Sequence, residues 1–199
     1  MTMLSTIRRL YADWDAAKQM SELDAHRLND LGLNRYDLFE ARKRHRRVVK
    51  KNADLHVRVV EAIASQEQYR LFRSYLNSRH NNGGMTHMSF GDYEFMVEDT
   101  PVDSYIMEFR DSGRLVAVCL ADRLRDGLSA VYSFFEPVGG KRSLGTFMIL
   151  KLVEQAQARK LDYVYLGFWI NGCAKMSYKS RFRPIEIFTP EGWRPWETG

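Results

Sequence analysis

The sequence predicts an α+β fold: a mixed, mainly antiparallel sheet flanked by helices, preceded by a small helical N-terminal segment. Three observations predict it. Four strand-like runs, Tyr93–Val97, Tyr105–Arg110, Leu115–Leu120 and Ser129–Phe135, follow one another, with turn residues at Asp111–Arg114 and Asp126–Gly127. A strong amphipathic helix then covers about 143–159, with Met148, Ile149, Leu152, Val153 and Ala156 on one face. The apolar run Tyr163–Trp169 and the short run Ile185–Phe188 complete the order as further strands.

The N-terminal 45 residues read as helices. Leu4, Ile7, Leu10, Tyr11 and Trp14 share one face, and Leu23, Leu28 and Leu31 belong to a second helix that Gly32 can end. Asn34 can cap a third helix carrying Leu38 and Phe39. Eight basic side chains then fall within the ten positions 42–51. Cations suit a helix C-terminus, but a cap needs fewer, so the run is also suited to phosphates. We place the boundary here, with a helical segment at 1–45 and the main domain at 46–199. Residues 67–79 form a helix with Tyr69, Phe72, Tyr75 and Leu76 inward, ended by the Asn81–Gly84 breaker, and Gly139-Gly140 leads into the long helix.

Composition narrows the function. The chain has 199 residues, 45% hydrophobic and 13% aromatic, which is globular and leaves no clear room for two full domains. The net charge of +5 fits either an anionic partner, which it does not name, or simply a solvated basic surface. Cys119 and Cys173 are too few for a disulfide framework or a cysteine-built metal or iron–sulfur site. His80 and His87 flank a loop with no third or fourth ligand in view, so no metal site is expected. Met1–Leu10 lacks a signal-peptide pattern, and no long apolar run is present, so a cytoplasmic enzyme without membrane contact is the expectation.

Two stretches carry the chemistry. The turn Lys141–Thr146 opens the long helix, whose free N–H groups and dipole favour an anion. The element order fits an acyltransferase of the GNAT type, and acetyltransferases of that type hold a coenzyme A pyrophosphate at such a turn. Here Arg142 and Gly145 fit the pattern, with Ser143 between them, while the bulky Phe147 at its last small position argues against coenzyme A. An ordinary helix start capped by Ser143 is the alternative. The second stretch, Gly167–Pro184, interleaves Lys175, Lys179, Arg181 and Arg183 with Tyr178 and Phe182. Cations hold phosphates and rings stack on bases, so the pattern suits a nucleic-acid end. A solvated basic helix with both rings in the core is the alternative.

Several motifs in register resemble one family. Val131–Pro137, Arg142–Leu150, Tyr163–Ile170 and Lys175–Pro184 resemble the bacterial leucyl-tRNA–protein transferases and, more loosely, the arginyl-tRNA–protein transferases. Arg46–Leu55, Glu67–His80, Gly83–Met85 and Met96–Val102 match in the same order, so the resemblance spans residues 46–195. It departs at the front: the family's cysteine-rich N-terminal segment is absent, and Met20–Leu38 instead resembles the small, arginine-rich DUF1127 proteins, which have been linked to RNA.

The resemblance implies an aminoacyltransferase that moves an amino acid, leucine or alternatively arginine, from charged tRNA to an acceptor protein's N-terminal amine, as in the bacterial N-degron pathway. Aminoacyl-tRNA is the co-substrate, with no metal or cluster expected. Arg46, Arg47, Lys50, Lys51, Lys175, Lys179, Arg181 and Arg183 are the candidates for tRNA contacts, with Arg142, Ser143 and Gly145 at the terminal phosphates. Tyr132, Phe168 and Met176 are candidates for the aminoacyl pocket. Glu98, Asp99 or Tyr178 would orient the amine or relay its proton; turn-cap, solvated and packed roles are the alternatives. The acceptor is left unspecified, and a protein partner through residues 1–45 is open. Two other readings stand beside this one: a non-catalytic tRNA- or RNA-binding regulator, and a coenzyme A-dependent acetyltransferase.

Overall fold

The computed structural model describes residues 31–34, 45–79, 84–137, 142–168, 178–182 and 185–196. The strands are β1 (Leu31–Asn34), β2 (His56–Glu61), β3 (Asp103–Asp111), β4 (Arg114–Arg123), β5 (Gly127–Phe135), β6 (Tyr163–Tyr165), β7 (Glu186–Thr189) and β8 (Gly192–Pro195). The helices are α1 (Arg46–Lys51), α2 (Gln66–Arg79), α3 (Phe90–Glu98) and α4 (Leu144–Ala158), with 3-10 turns at Gly84–His87 and Lys179–Arg181.

Local chemistry starts two of the helices. At α2 the Gln68 N–H donates to Ser65 Oγ, and the Ser65 N–H donates to Gln68 Oε1. Ser89 and Asp92 make the same reciprocal box at α3. That box corrects the expectation of a strand at Tyr93–Val97. The run alternates like a strand, but its capped start and its contacts favour a helix that buries Tyr93 and Val97.

The strands form one sheet in the order β2-β3-β4-β5-β6-β1-β7-β8. All pairings are antiparallel except β5 with β6, which is parallel and connected through α4. Both faces are covered. Tyr105, Met107 and Phe109 of β3 meet Phe147, Met148, Leu152 and Val153 of α4 on one side. Ile106 meets Phe72 and Leu76 of α2 and Tyr93 of α3 on the other. Coverage on both faces explains why β4 reads as a continuous apolar run rather than an alternating one. This is the α+β, GNAT-like architecture that the order of elements predicts.

The front of the chain differs from expectation. Leu31–Asn34 is a strand, not the end of one helix and the cap of another. Gly32 pairs with Tyr165 on one side and Glu186 on the other, so main-chain bonding to two neighbours overrides the weak local helix preference. This strand lies before residue 45 and yet pairs within the main sheet, between β6 and β7. The helices expected from Leu4 to Leu28, Leu38 and Phe39, and the part of the basic run before His45, lie outside the described residues. Strand β2, which sequence reading did not separate from its surroundings, forms the far edge of the sheet.

Candidate functional site

Among the described residues, β5 and β6 pair only where Gly127–Ser129 meets Tyr163–Tyr165. Beyond Ser129, β5 continues along β4 while β6 ends, and the two diverge. A bulge accentuates this: Leu120 pairs with Tyr132 and Ala121 with Ala130, leaving Val131 as an extra residue on β5. Such a bulge increases local twist and re-aims side chains. A cavity of about 810 Å³ opens in the resulting wedge, lined by β5, Leu166–Phe168, the start of α4, the end of α2 and Tyr178–Lys179.

The turn into α4 forms one wall. Ser143 stands before the helix in the left-handed conformation, φ 56° and ψ 46°, and its side chain caps nothing. A non-glycine residue held there is disfavoured by roughly 1–2 kcal/mol, a strain that surrounding contacts must sustain. The first helical bond runs from the Phe147 N–H to the Ser143 carbonyl, so the N–H groups just before it lack an intrahelical partner. Arg142 is held from the turn that follows α1: its guanidinium donates to both Asp54 oxygens at 3.3 and 2.6 Å and lies 3.7 Å from Asp111. The Arg142 guanidinium keeps the Asp54 carboxyl below its ordinary range. The buried Asn52 side chain donates to the Arg142 carbonyl at 2.9 Å. The basic helix α1 and the α4 turn are therefore one fixed unit.

The floor is phenolic and apolar. Tyr75, Tyr132 and Tyr178 line it with Val116, Met148 and Ile149. Burial pushes the Tyr132 and Tyr178 hydroxyls up to about 12, so both remain O–H donors at neutral pH. Cys119 also lines the floor, and burial pushes its thiol up to about 12. Its thiolate is disfavoured, which removes it as a nucleophile. The two carboxylates that line the cavity are matched: Glu136 is paired with Arg114, and Asp111 lies near Arg142.

The structure brings together Tyr132, Phe168, Tyr178, Lys179, Arg142, Ser143 and Gly145 around this cavity. Glu98 and Asp99 do not line it. The Glu98 carboxylate accepts from the Ala64 N–H at 2.8 Å, and Asp99 ends α3. They precede β3 at Asp103, whereas it is the other end of that strand, Asp111, that reaches the cavity. Neither side chain is among those lining the cavity, so the cavity's geometry gives no support to the amine-orienting or proton-relaying role expected of them.

Arg46, Arg47, Lys50 and Lys51 are exposed on α1, and Arg181 is exposed on the 3-10 turn. Lys179 Nζ donates to the Phe168 carbonyl at 2.7 Å, so part of its bonding is spent on the cavity wall. Lys175, Met176, Arg183, Cys173 and His80 lie outside the described residues. Phe182 is fully buried and stacked on His45, which is the core role rather than a base-stacking one. Phe147 also turns into the core, against Phe109, and does not line the cavity, so its bulk is not what decides the ligand of the turn. Tyr75, Arg79, Arg114 and Cys119 were not singled out as site residues from sequence, because nothing local says that the end of α2 or these positions of β4 face the wedge. Among the described residues, no group of three or more His, Cys, Asp and Glu could hold a metal, and no helix is long and apolar enough to cross a membrane.

Comparison with known proteins agrees with this geometry. Residues 67–189 match the family described as arginine-tRNA-protein transferase, C terminus. The aspartate/glutamate leucyltransferase of Paramagnetospirillum magneticum is 54% identical over 155 residues, covering 77% of this chain and 64% of that protein. That of Parvibaculum lavamentivorans is 51% identical over 157 residues, covering 78% and 65%. The chain thus spans about two thirds of the length of these curated relatives. Among solved structures, the C-terminal domain (DUF2156) of a putative lysylphosphatidylglycerol synthetase from Agrobacterium fabrum superposes with a TM-score of 0.56 at 14% identity, over 84% of this chain and 58% of that one. That likeness concerns the fold alone. By the match to its central and C-terminal residues, the chain belongs to the arginine-tRNA–protein transferase family, through that family's C-terminal domain.

Proposed function

We propose that this chain transfers leucine from charged tRNA to the N-terminal α-amine of an acceptor protein. The observation that carries the reading is the wedge between β5 and β6: a cavity of about 810 Å³ with an uncharged floor and a helix-start turn at its wall. In this reading Arg142, Ser143 and Gly145 meet the terminal phosphates of the donor, and exposed Arg46, Arg47, Lys50 and Lys51 meet its backbone. The leucyl side chain enters the floor beside Tyr132, Met148 and Ile149. The absence of an unmatched carboxylate among the described lining residues favours leucine over arginine.

The chemistry asks little of the protein. The donor is an activated ester, and an α-amine with a reference pKa of about 7.7–8.0 is partly unprotonated at neutral pH. The amine nitrogen attacks the ester carbonyl, the amide bond forms, and the ribose hydroxyl of the tRNA leaves with the proton that the amine gives up. The site then has to align amine and ester and to stabilise the oxyanion. Tyr132 and Tyr178, neutral at this pH and both lining the cavity, suit the second task. Aminoacyl-tRNA is the sole co-substrate in this scheme. The relatives are named for aspartate and glutamate, and Arg79, which lines the cavity, places a cation where an acceptor carboxylate would enter. Incubation with radiolabelled Leu-tRNA and peptides of varied first residue tests the proposal. Label should enter a peptide; if none of the peptides is labelled, the reading fails.

A further inference from the structure

We propose that Asn52 is a positioning residue that joins the basic helix α1 to the turn at Arg142–Gly145, so that the two bind a single RNA strand as one surface. The inference rests on the tRNA-dependent reading above. Asn52 is fully buried, although asparagine is mostly a surface residue. Its Nδ2 donates to the Val48 carbonyl at 2.8 Å, inside α1, and to the Arg142 carbonyl at 2.9 Å, 90 residues away. One amide thus bridges the two motifs. The second bond fixes the peptide plane between Arg142 and Ser143, the plane on which the left-handed φ of Ser143 depends. Asp54, two residues on, grips the Arg142 side chain. Main chain and side chain of Arg142 are therefore both registered to α1.

The remaining Asn52 acceptor, Oδ1, is buried and has no hydrogen-bond partner among the described residues. The cost of that oxygen is offset by the two bonds the amide donates, one to each motif, which is the bridge itself. A rigid connection lets contacts made at α1 add to contacts made at the turn, because the second set forms at high effective concentration. Neither motif requires this individually. The coupling does.

The test compares a labelled Leu-tRNA with a short RNA ending in leucyl-CCA, by fluorescence anisotropy on the full chain. The short RNA reaches only the turn; the tRNA reaches both. In wild type the tRNA binds more tightly. In Asn52→Leu that advantage should fall by about fivefold, the equivalent of one lost hydrogen bond, while affinity for the short RNA changes much less. The slope of tRNA affinity against salt should fall with it, as α1 cations lose their phosphates. An unchanged ratio of the two affinities, or equal loss for both RNAs, overturns the proposal. Should Asn52→Leu fail to fold, Asn52→Ser serves instead: its hydroxyl can satisfy Val48 but is too short to span both carbonyls. A wild type that binds both RNAs without transferring leucine would refute the transferase reading and leave this ratio decisive. A wild type that binds neither refutes both.

Discussion

Replacing Gly127 with alanine should force β5 and β6 apart at the point where the wedge begins. A Cβ built there would lie 2.6 Å from the Tyr163 carbonyl oxygen, 3.0 Å from Tyr163 Cβ and 3.0 Å from Tyr165 Cε2. The nearest atom belongs to the backbone of the paired strand, so no side-chain rotation relieves the clash. Overpacking of this kind costs about 1–3 kcal/mol, and a backbone clash belongs in the upper half of that range. Stiffening of the unfolded chain by alanine returns only about 0.4–1 kcal/mol. The net loss should be about 2 kcal/mol, which for a chain of this size lowers Tm by roughly 4–8 °C. Urea titration followed by circular dichroism measures it, with an unchanged slope showing that only stability moved. Gly91→Ala is the control of opposite sign: its new Cβ would meet only Ser89 Oγ, at 3.8 Å, inside a helix that prefers alanine. A Gly127→Ala protein as stable as wild type would refute the described β5–β6 contact and with it the geometry of the wedge.

Three further outcomes follow from the same structure. Cys119→Ala should retain leucine transfer, and no aminoacyl thioester should be trapped, because burial pushes the thiol up to about 12; loss of kcat with an intact fold would contradict this. Glu108 is buried between Arg58, Arg110 and Gln68, so Glu108→Ala should destabilise by about 3 kcal/mol in denaturant titration, and Glu108→Gln by less. Tyr105, Tyr132 and Tyr178 are raised from the ordinary 10 to about 12. A raised folded-state value stabilises fully below the unfolded value and is lost as pH climbs through the folded one, so stability should hold to about pH 10 and decline between 10 and 12. A decline centred below pH 10 would contradict it.

How much of this was legible in the sequence depended on whether the signal was local. The helix α4 repeats its apolar residues at helical spacing from Met148 to Ala156, and β3 to β5 are punctuated by Asp111–Arg114 and Asp126–Gly127; all were readable. At α3 the capping signal Ser89 to Asp92 was present in the sequence, but the alternation of Tyr93, Phe95 and Val97 outweighed it. β1 carries no strand signal of its own: Leu-Gly-Leu-Asn is extended because β6 and β7 stand on either side. The site shows the same division. Arg142, Tyr132 and Tyr178 sit in motifs that name a chemistry, whereas Tyr75 is one aromatic of a helix face until the fold turns that face to the cavity. Glu98 and Asp99 were acids in a family-like motif, and only the fold shows that the motif ends away from the wedge.

The central claim is that the wedge accepts a leucyl group from tRNA. The direct measurement is kcat/KM of the purified chain for Leu-tRNA and for Arg-tRNA, with a peptide acceptor beginning with aspartate or glutamate. The account predicts a leucylated peptide amine and a strong preference for Leu-tRNA, with Tyr178→Phe lowering kcat more than it raises KM. Equal use of Arg-tRNA would contradict the uncharged pocket, and no transfer from either tRNA would contradict the account as a whole.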